Sequence, residues 1–246
     1  MVTYRLSGSL LFLIMLRLNK TFLLFLLFLM LAAGCAQLPE YARPRVVDVE
    51  DRQVSLEQAF TYRAVGVDDF QAQALPKDLV SHARNIAAHA CCRIRTTKDT
   101  RYKITRGYLN EQIHYFGSIQ SAGFEALMIP ECSWLNPDLD EDKLEYVMQH
   151  EQIHFALMEL AARKLNREAK EEFKHFIAIQ STRNAARDEV AAKIKDMVRS
   201  ANEAVLIEHT AFDEETSLYF DPESQQRWFE RVEKQLLLTA PRANAD

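Results

Sequence analysis

The sequence is poor in glycine and proline, with 6 and 7 residues among 246, and it contains no internal repeat. This composition excludes a linker-rich or low-complexity chain. The sequence also lacks a glycine-rich phosphate loop and a Gly-x-Ser-x-Gly nucleophile elbow. Hydrophobic residues make up 48% and charged residues 26%, as in ordinary globular proteins. The length is sufficient for one domain and an export segment.

No single apolar run reaches the roughly 20 residues that a membrane-spanning helix needs. The run over residues 22–33 is about twelve residues long and follows two cations, Arg17 and Lys20. A basic region before an apolar run of that length predicts a signal peptide, which we assign to residues 1–34. An uncleaved membrane anchor is the alternative, because residues 10–16 are also apolar.

The end of the apolar run carries small residues before a cysteine, Leu-Ala-Ala-Gly-Cys over residues 31–35. This pattern resembles a bacterial lipobox and predicts lipid attachment at Cys35, followed by a tether over residues 35–45. The expected location is the cell envelope, facing the periplasm, on the outer membrane in preference to the inner. Loss of three basic residues with the signal changes the formal net charge from −5 to −8, which argues against nucleic acid as a partner.

Three further cysteines remain in the predicted mature protein, namely Cys91, Cys92 and Cys132. A compartment outside the cytoplasm permits disulfides, so we expect a bridge from Cys91 or Cys92 to Cys132. The alternative is three buried free thiols. The cysteines lack the second pair that a zinc ribbon would need.

The pattern of the remaining chain predicts an α+β fold in one domain over residues 46–240. Short segments rich in β-formers, between residues 92 and 130, predict a small and mostly antiparallel sheet. An amphipathic stretch over residues 77–90 predicts a helix before the sheet. The helical half that follows is predicted to contain helices over 140–166, 168–217 (one or two helices) and 223–238.

The predicted helix over 140–166 contains the motif His150-Glu151-Gln152-Ile153-His154, which fits the pattern H-E-x-x-H. Residues four apart on a helix share one face, so the two imidazoles can bind one zinc ion. Zinc lowers the pKa of a bound water to about 7, and Glu151 can then act as the general base. Two satisfied helical histidines without a metal are the alternative.

A catalytic zinc site needs a third protein ligand, and two candidates lie on the next long helix. His209 falls on a predicted apolar stripe, and Asp213 borders it. Either could bind the metal while the other supports a ligand, or the two could form a structural pair between helices. Tyr219 and His209 are candidates for the group that stabilises the transition state. The stripe comprises Val190, Ile194, Met197, Ala201, Val205, His209, Phe212 and Thr216.

The two motifs together resemble a bacterial family of secreted zinc-dependent proteases of zincin type, most of whose members are known only as a domain of unknown function. The family carries H-E-Q-x-H, then Y-D-x-x-T followed by H-G. Here His150-Glu151-Gln152-Ile153-His154 is followed about sixty residues later by Phe212-Asp213-Glu214-Glu215-Thr216. Phe replaces the family's Tyr, and Leu218-Tyr219 stand where the family has His-Gly. The resemblance implies a zinc peptidase with Asp213 as the first choice of third ligand and His209 as the second.

The sequence therefore predicts a zinc-dependent peptidase that acts on a peptide or protein substrate. The segment Glu125–Pro130 is our candidate for a strand edge on which an extended substrate lies. One alternative is an envelope-attached binding or assembly module with a structural or relic zinc site. Another is a zinc hydrolase that acts on cell-wall material.

Overall fold

The computed structural model describes residues 37–44, 56–77, 79–217 and 220–240, and the chain from Leu38 onward forms one compact unit. Short 3-10 turns cover Glu40–Ala42, Val67–Asp69, Val80–Asn85 and Pro130–Cys132. The strands are β1 (Phe60–Thr61), β2 (Ala88–His89), β3 (Cys92–Thr96), β4 (Arg101–Leu109), β5 (Gln112–Ser121), β6 (Phe124–Met128), β7 (Trp134–Leu135) and β8 (Ala178–Gln180). The α-helices are α1 (Glu141–His175), α2 (Arg183–Thr216) and α3 (Pro222–Leu238).

The strands form three small antiparallel sheets, in the orders β1-β6-β3, β2-β7 and β4-β5-β8. Among the described strands, only β8 follows α1 along the chain, and it separates α1 from α2. The predicted α+β architecture, with antiparallel sheets followed by a helical half, is confirmed.

The three α-helices of the described residues begin at residues whose chemistry suits a helix N-terminus. Acidic Glu141 and Asp142 occupy the first turn of α1, where they complement the helix dipole. The side chain of Thr182 caps α2 by accepting a hydrogen bond from Ala185 N at 3.1 Å. Asp221 caps α3 in the same way, and Pro222 occupies its first position.

The core lies where α1 and α2 pack against the sheets. Phe155 and Leu157 of α1, Phe212 of α2 and Met128 of β6 are all almost completely buried. Burial of each such side chain contributes about 1.5–3 kcal/mol. Gly117 of β5 permits the close approach of α2, because a Cβ there would lie 2.8 Å from Val190 Cγ2. The packing of α1 and α2 against the sheets therefore fixes the position of each helix relative to the other.

Two predicted helix boundaries are wrong. Helix α1 continues past residue 166 to His175, and β8 lies within the range predicted as helix over 168–217. Asn166, where we ended the first helix, instead uses its amide in a tertiary contact. Its Oδ1 accepts from Phe124 N at 2.9 Å, and its Nδ2 donates to Phe124 O at 2.7 Å.

The helix predicted over residues 77–90 is also wrong. The segment forms the 3-10 turn Val80–Asn85 and then β2. Ala88 pairs with Leu135 and His89 with Trp134. Pairing with a strand more than forty residues away overrides the local helical pattern.

The segment Glu125–Pro130 does not form the predicted strand edge. Most of it belongs to β6, which pairs with β3 along its whole length and with β1 at Leu127 and Met128. β6 therefore lies between two strands at Leu127 and Met128, and the N–H and C=O of Phe124 are bonded to the side chain of Asn166.

The predicted tether is partly ordered against the rest of the protein. Leu38 is buried, and its N–H donates to Glu214 Oε1 at 3.3 Å. Tyr41 stacks on His82 with ring centroids 3.8 Å apart. The predicted signal peptide and Cys35 lie outside the described residues. Within the described part of the chain, no helix is long and apolar enough to cross a membrane.

Candidate metal centre

Three side chains from two helices converge between α1 and α2. His150 and His154 lie one turn apart on α1, and Asp213 faces them from α2. Asp213 Oδ1 lies 2.9 Å from His150 Nε2 and 3.0 Å from His154 Nε2. The two Nε2 atoms lie 3.0 Å apart. The three atoms thus form a nearly equilateral triangle.

The spacing and chemistry of this triangle fit a metal ion. Ligand atoms around a tetrahedral zinc at about 2.0–2.1 Å lie about 3.3–3.4 Å from one another. The observed separations of 2.9–3.0 Å are only a few tenths of an ångström shorter. Two imidazoles and one carboxylate are also a common catalytic zinc set. His150, His154 and Asp213 therefore form a buried group that can bind a metal ion.

The electrostatics of the group favour a cation. Burial would raise the pKa of Asp213, but the charge of His154 and the imidazole nitrogens of His150 and His154 within hydrogen-bonding distance hold it below its usual range. Burial would lower the pKa of His154, yet the charge and hydrogen bond of Asp213 raise it above its usual value. Asp213 is therefore a carboxylate at neutral pH, and a proton or a metal on the imidazoles can compensate its charge.

Glu151 lies beside the group on α1 and is only 4% exposed. Its Oε2 accepts a hydrogen bond from Ala90 N at 2.9 Å, immediately after β2. Its charge is close enough to raise the pKa of His154. The structure thus places the predicted general base next to the metal-binding group, held by a backbone N–H of a neighbouring segment.

His209 is not among the three converging atoms. Its role as an alternative or additional ligand stays a prediction. Its Nδ1 lies 2.6 Å from His154 Nδ1, on the side of the His154 ring that points away from Asp213. The reason is geometric, because His209 lies one turn before Asp213 on α2. Burial, and then the neighbouring His154, lower the pKa of His209 to about 3, so it is neutral.

Two contacting residues were missed by the sequence analysis. Gln225 of α3 is fully buried, with Oε1 3.2 Å from His150 Nδ1. Ser217, at the end of α2, places its Oγ 3.4 Å from Asp213 Oδ1 and 3.5 Å from His150 Nε2. Ser217 was detectable, since it lies four residues after Asp213 on one helix face. Gln225 was not, because its place depends on how α3 packs.

Phe212 forms the aromatic wall of the centre. Its ring centroid lies 4.4 Å from that of His150, on which it stacks, and 5.0 Å from that of His154, which it contacts edge-on. The ring is completely buried and also contacts Trp228 of α3. The apolar ring excludes water from one side of both imidazoles.

The remaining predicted residues fall elsewhere. Cys91 and Cys132 form a disulfide, while Cys92 keeps a free thiol. Burial raises the pKa of Cys92, and the charge of Glu151 raises it further. Tyr219, one candidate for the transition-state group, lies outside the described residues.

Comparisons with protein-family models, curated proteins and solved structures give no match to this chain. The resemblance to the zinc-protease family stays a prediction from the two motifs. The geometry of His150, His154 and Asp213 identifies a group that can bind a metal ion, and it does not identify the metal.

Proposed function

We propose that the protein is a zinc-dependent hydrolase, a peptidase tethered to the bacterial cell envelope as a lipoprotein. The observation that carries this proposal is the convergence of His150 Nε2, His154 Nε2 and Asp213 Oδ1 beside Glu151. Two histidines, one carboxylate and an adjacent glutamate are the parts that a zincin needs. Zinc is favoured over harder cations because imidazole nitrogens make up two of the three ligands.

Each residue of the centre has a distinct role in this proposal. His150, His154 and Asp213 would hold the metal, which would act as a Lewis acid on the scissile carbonyl and on the attacking water. Glu151 accepts the proton of the water and returns it to the leaving amine. The N–H of Ala90 keeps the carboxylate of Glu151 in a fixed orientation between these steps.

The backbone beside Glu151 supports a peptide as the substrate. Asn136 N donates to Ala87 O at 2.9 Å, on the side of β2 that faces β7. Backbone groups alternate between the two sides of an antiparallel strand, so Ala88 and Ala90 point to the opposite side. Ala90 N meets Glu151 there. Because Glu151 already accepts the Ala90 N–H, an extended peptide could pair with the backbone of Ala88 on this side, in place of the edge that we expected at Glu125–Pro130.

The proposed location rests on the sequence of the N-terminus. Basic residues, a run of about twelve apolar residues and Leu-Ala-Ala-Gly-Cys ending at Cys35 are the sequence features that support it. The lipid on Cys35 would attach an acidic protein to a membrane without a basic surface patch. The proposed partners are a peptide or protein substrate and the membrane reached through this lipid.

The hydrolase is tested by separating metal binding from activity. Purified protein should hold one zinc per chain and cleave members of a mixed peptide library, with new termini identified by mass spectrometry. Glu151→Gln should retain zinc and lose cleavage, since the amide cannot accept the proton. Full activity in Glu151→Gln would refute the mechanism. Glu145→Gln, an exposed position on α1, is the matched control.

The burial of the centre favours a second candidate, a binding or assembly module with a structural zinc site. Glu151 is 4% exposed and engaged with Ala90 N, and Asp213 is 7% exposed. A closed structural site contributes folding free energy, so a chelator would lower the melting temperature sharply. A catalytic site that loses activity on chelation but stays folded would exclude this candidate.

A further inference from the structure

The buried glutamine of α3 makes a complete set of hydrogen bonds at the metal centre. Gln225 is fully buried, and its Oε1 lies 3.2 Å from His150 Nδ1. Its Nε2 donates to the backbone carbonyl of Tyr146 at 2.9 Å and to Gln149 Oε1 at 2.8 Å. Every polar atom of this side chain thus has a partner on α1.

These partners determine which end of the amide faces His150. A backbone carbonyl can only accept a hydrogen bond, so the NH₂ group of Gln225 must be the end that meets Tyr146. Both hydrogens of that group are used, one on Tyr146 O and one on Gln149 Oε1. Rotation of the amide would place its oxygen against the Tyr146 carbonyl. The oxygen of Gln225 is therefore held toward His150.

The orientation of Gln225 in turn determines the tautomer of His150. An amide oxygen only accepts, so His150 Nδ1 must carry the hydrogen that it receives. A neutral imidazole has one N–H, which leaves Nε2 with a free lone pair. Nε2 lies 2.9 Å from Asp213 Oδ1 and 3.0 Å from His154 Nε2, so this lone pair is directed into the triangle that a metal would occupy.

We propose that Gln225 is a positioning residue that holds His150 in the Nδ1–H tautomer, the form that can bind a metal through Nε2. Without Gln225, His150 can place its hydrogen on Nε2 and donate it to Asp213. In that tautomer His150 and Asp213 are hydrogen-bonded to each other, and Nε2 has no free lone pair with which to bind a metal. Outer groups that fix the tautomer of a ligand histidine typically change metal affinity about 10–100-fold.

The inference makes α3 a part of the metal centre. Trp228 Nε1 donates to Glu215 Oε2 at 2.8 Å and fixes α3 against the end of α2. Gln225 lies one turn earlier on α3 than Trp228, and so reaches α1 from a helix that is itself anchored. The inference rests on the metal-binding group of the proposed function, and it is independent of hydrolysis.

The test combines ring-nitrogen NMR with a zinc titration on the full chain in detergent. In metal-free protein at a pH where His150 is neutral, the ¹⁵N shifts report which nitrogen carries the hydrogen. We expect Nδ1–H in the wild type and Nε2–H in Gln225→Leu, with zinc affinity in that variant lower by about 10–100-fold in chelator competition. Gln225→Met, which is close to glutamine in length but lacks the amide oxygen, should show the same change of tautomer and a similar loss of affinity.

The control is Gln235→Leu, at an exposed position near the end of α3, which should change neither readout. An Nε2–H tautomer for His150 in the wild type would overturn the inference, as would unchanged zinc affinity in Gln225→Leu. If Gln225→Leu does not fold, the wild-type tautomer and the zinc affinity of Gln225→Met decide. A wild type that has the Nδ1–H tautomer but binds no zinc would refute the proposed function and leave the tautomer assignment standing.

Discussion

His154 and His209 form a buried pair in which their Nδ1 atoms lie 2.6 Å apart and their rings are nearly parallel. Only one hydrogen can lie between the two nitrogens. When His154 uses its Nε2 lone pair for a metal, its Nδ1 carries the hydrogen and donates it to His209. His209 therefore stabilises the ligand His154 by accepting a hydrogen bond on the side of its ring that faces away from the metal.

The different roles of Asp213 and His209 predict different losses of zinc affinity. His209→Ala removes a supporting acceptor and should weaken zinc binding by about 10–100-fold. Asp213→Ala removes a ligand and should weaken it further than that. Glu208→Ala, at an exposed position on the same helix, is the control. Chelator competition measures all three, and equal losses in His209→Ala and Asp213→Ala would mean that His209 is a ligand.

The pKa of His154 predicts opposite pH trends for stability and for metal binding. Its folded-state pKa is raised above the unfolded value of about 6.5, so its stabilising contribution is complete below that pH and is lost as pH rises above it. Metal-free protein should therefore become less stable above about pH 6.5. Zinc affinity should increase over the same range, because a bound imidazole must be deprotonated.

These trends are measured by urea denaturation and zinc titration at several pH values above 6.5. His209 and Asp213, whose pKa values are both lowered, affect stability only at lower pH. His154→Gln should flatten the dependence of metal-free stability on pH. A metal-free protein that becomes steadily more stable from pH 6.5 upward would contradict the predicted ionisation of His154.

The disulfide predicts a large difference between reduced and oxidised protein. Cys91 and Cys132 are 41 residues apart, and closing a loop of that length stabilises a fold by about 4 kcal/mol in the chain-entropy model. Cys132→Ser should lose stability of that order in a denaturant titration. Cys92 is partly buried with a raised pKa, so it should react with a thiol reagent only after unfolding. Rapid labelling of Cys92 in native protein would contradict this.

Phe212 predicts a coupling between packing and metal affinity. Phe212→Ala should cost about 3–5 kcal/mol of stability, because the ring is completely buried against His150, His154 and Trp228. It should also weaken zinc binding, since both ligand rings lose their support. Ile207→Ala, at a 75% exposed site on α2, should change stability by less than about 0.5 kcal/mol. Unaltered zinc affinity in Phe212→Ala would contradict the predicted coupling between the packing of this ring and metal binding.

The parts of the site that depend on local geometry could be predicted from the sequence. The one-turn spacing of His150 and His154 is a property of any helix, and the apolar stripe leading to Asp213 follows from the same period. The helical half was predicted in outline for this reason. The choice between Asp213 and His209 depended on a resemblance, since helical period alone places both near the partner helix.

The parts that depend on long-range packing could not be predicted. Asn166 resembled a helix end, but its amide is used by β6, and α1 continues. Residues 88–90 carry a helical pattern, yet pairing with β7 makes them extended and brings Ala90 N to Glu151. Gln225 is an ordinary polar residue in the sequence, and only the packing of α3 places it on His150.

The most direct test is an anomalous difference map, measured at the zinc absorption edge, from crystals of zinc-loaded protein. We predict one peak per chain, between His150 Nε2, His154 Nε2 and Asp213 Oδ1, with His209 outside coordinating distance. Crystals grown with excess zinc that show no peak at this position, or a peak coordinated by His209 in place of Asp213, would contradict the assigned metal centre.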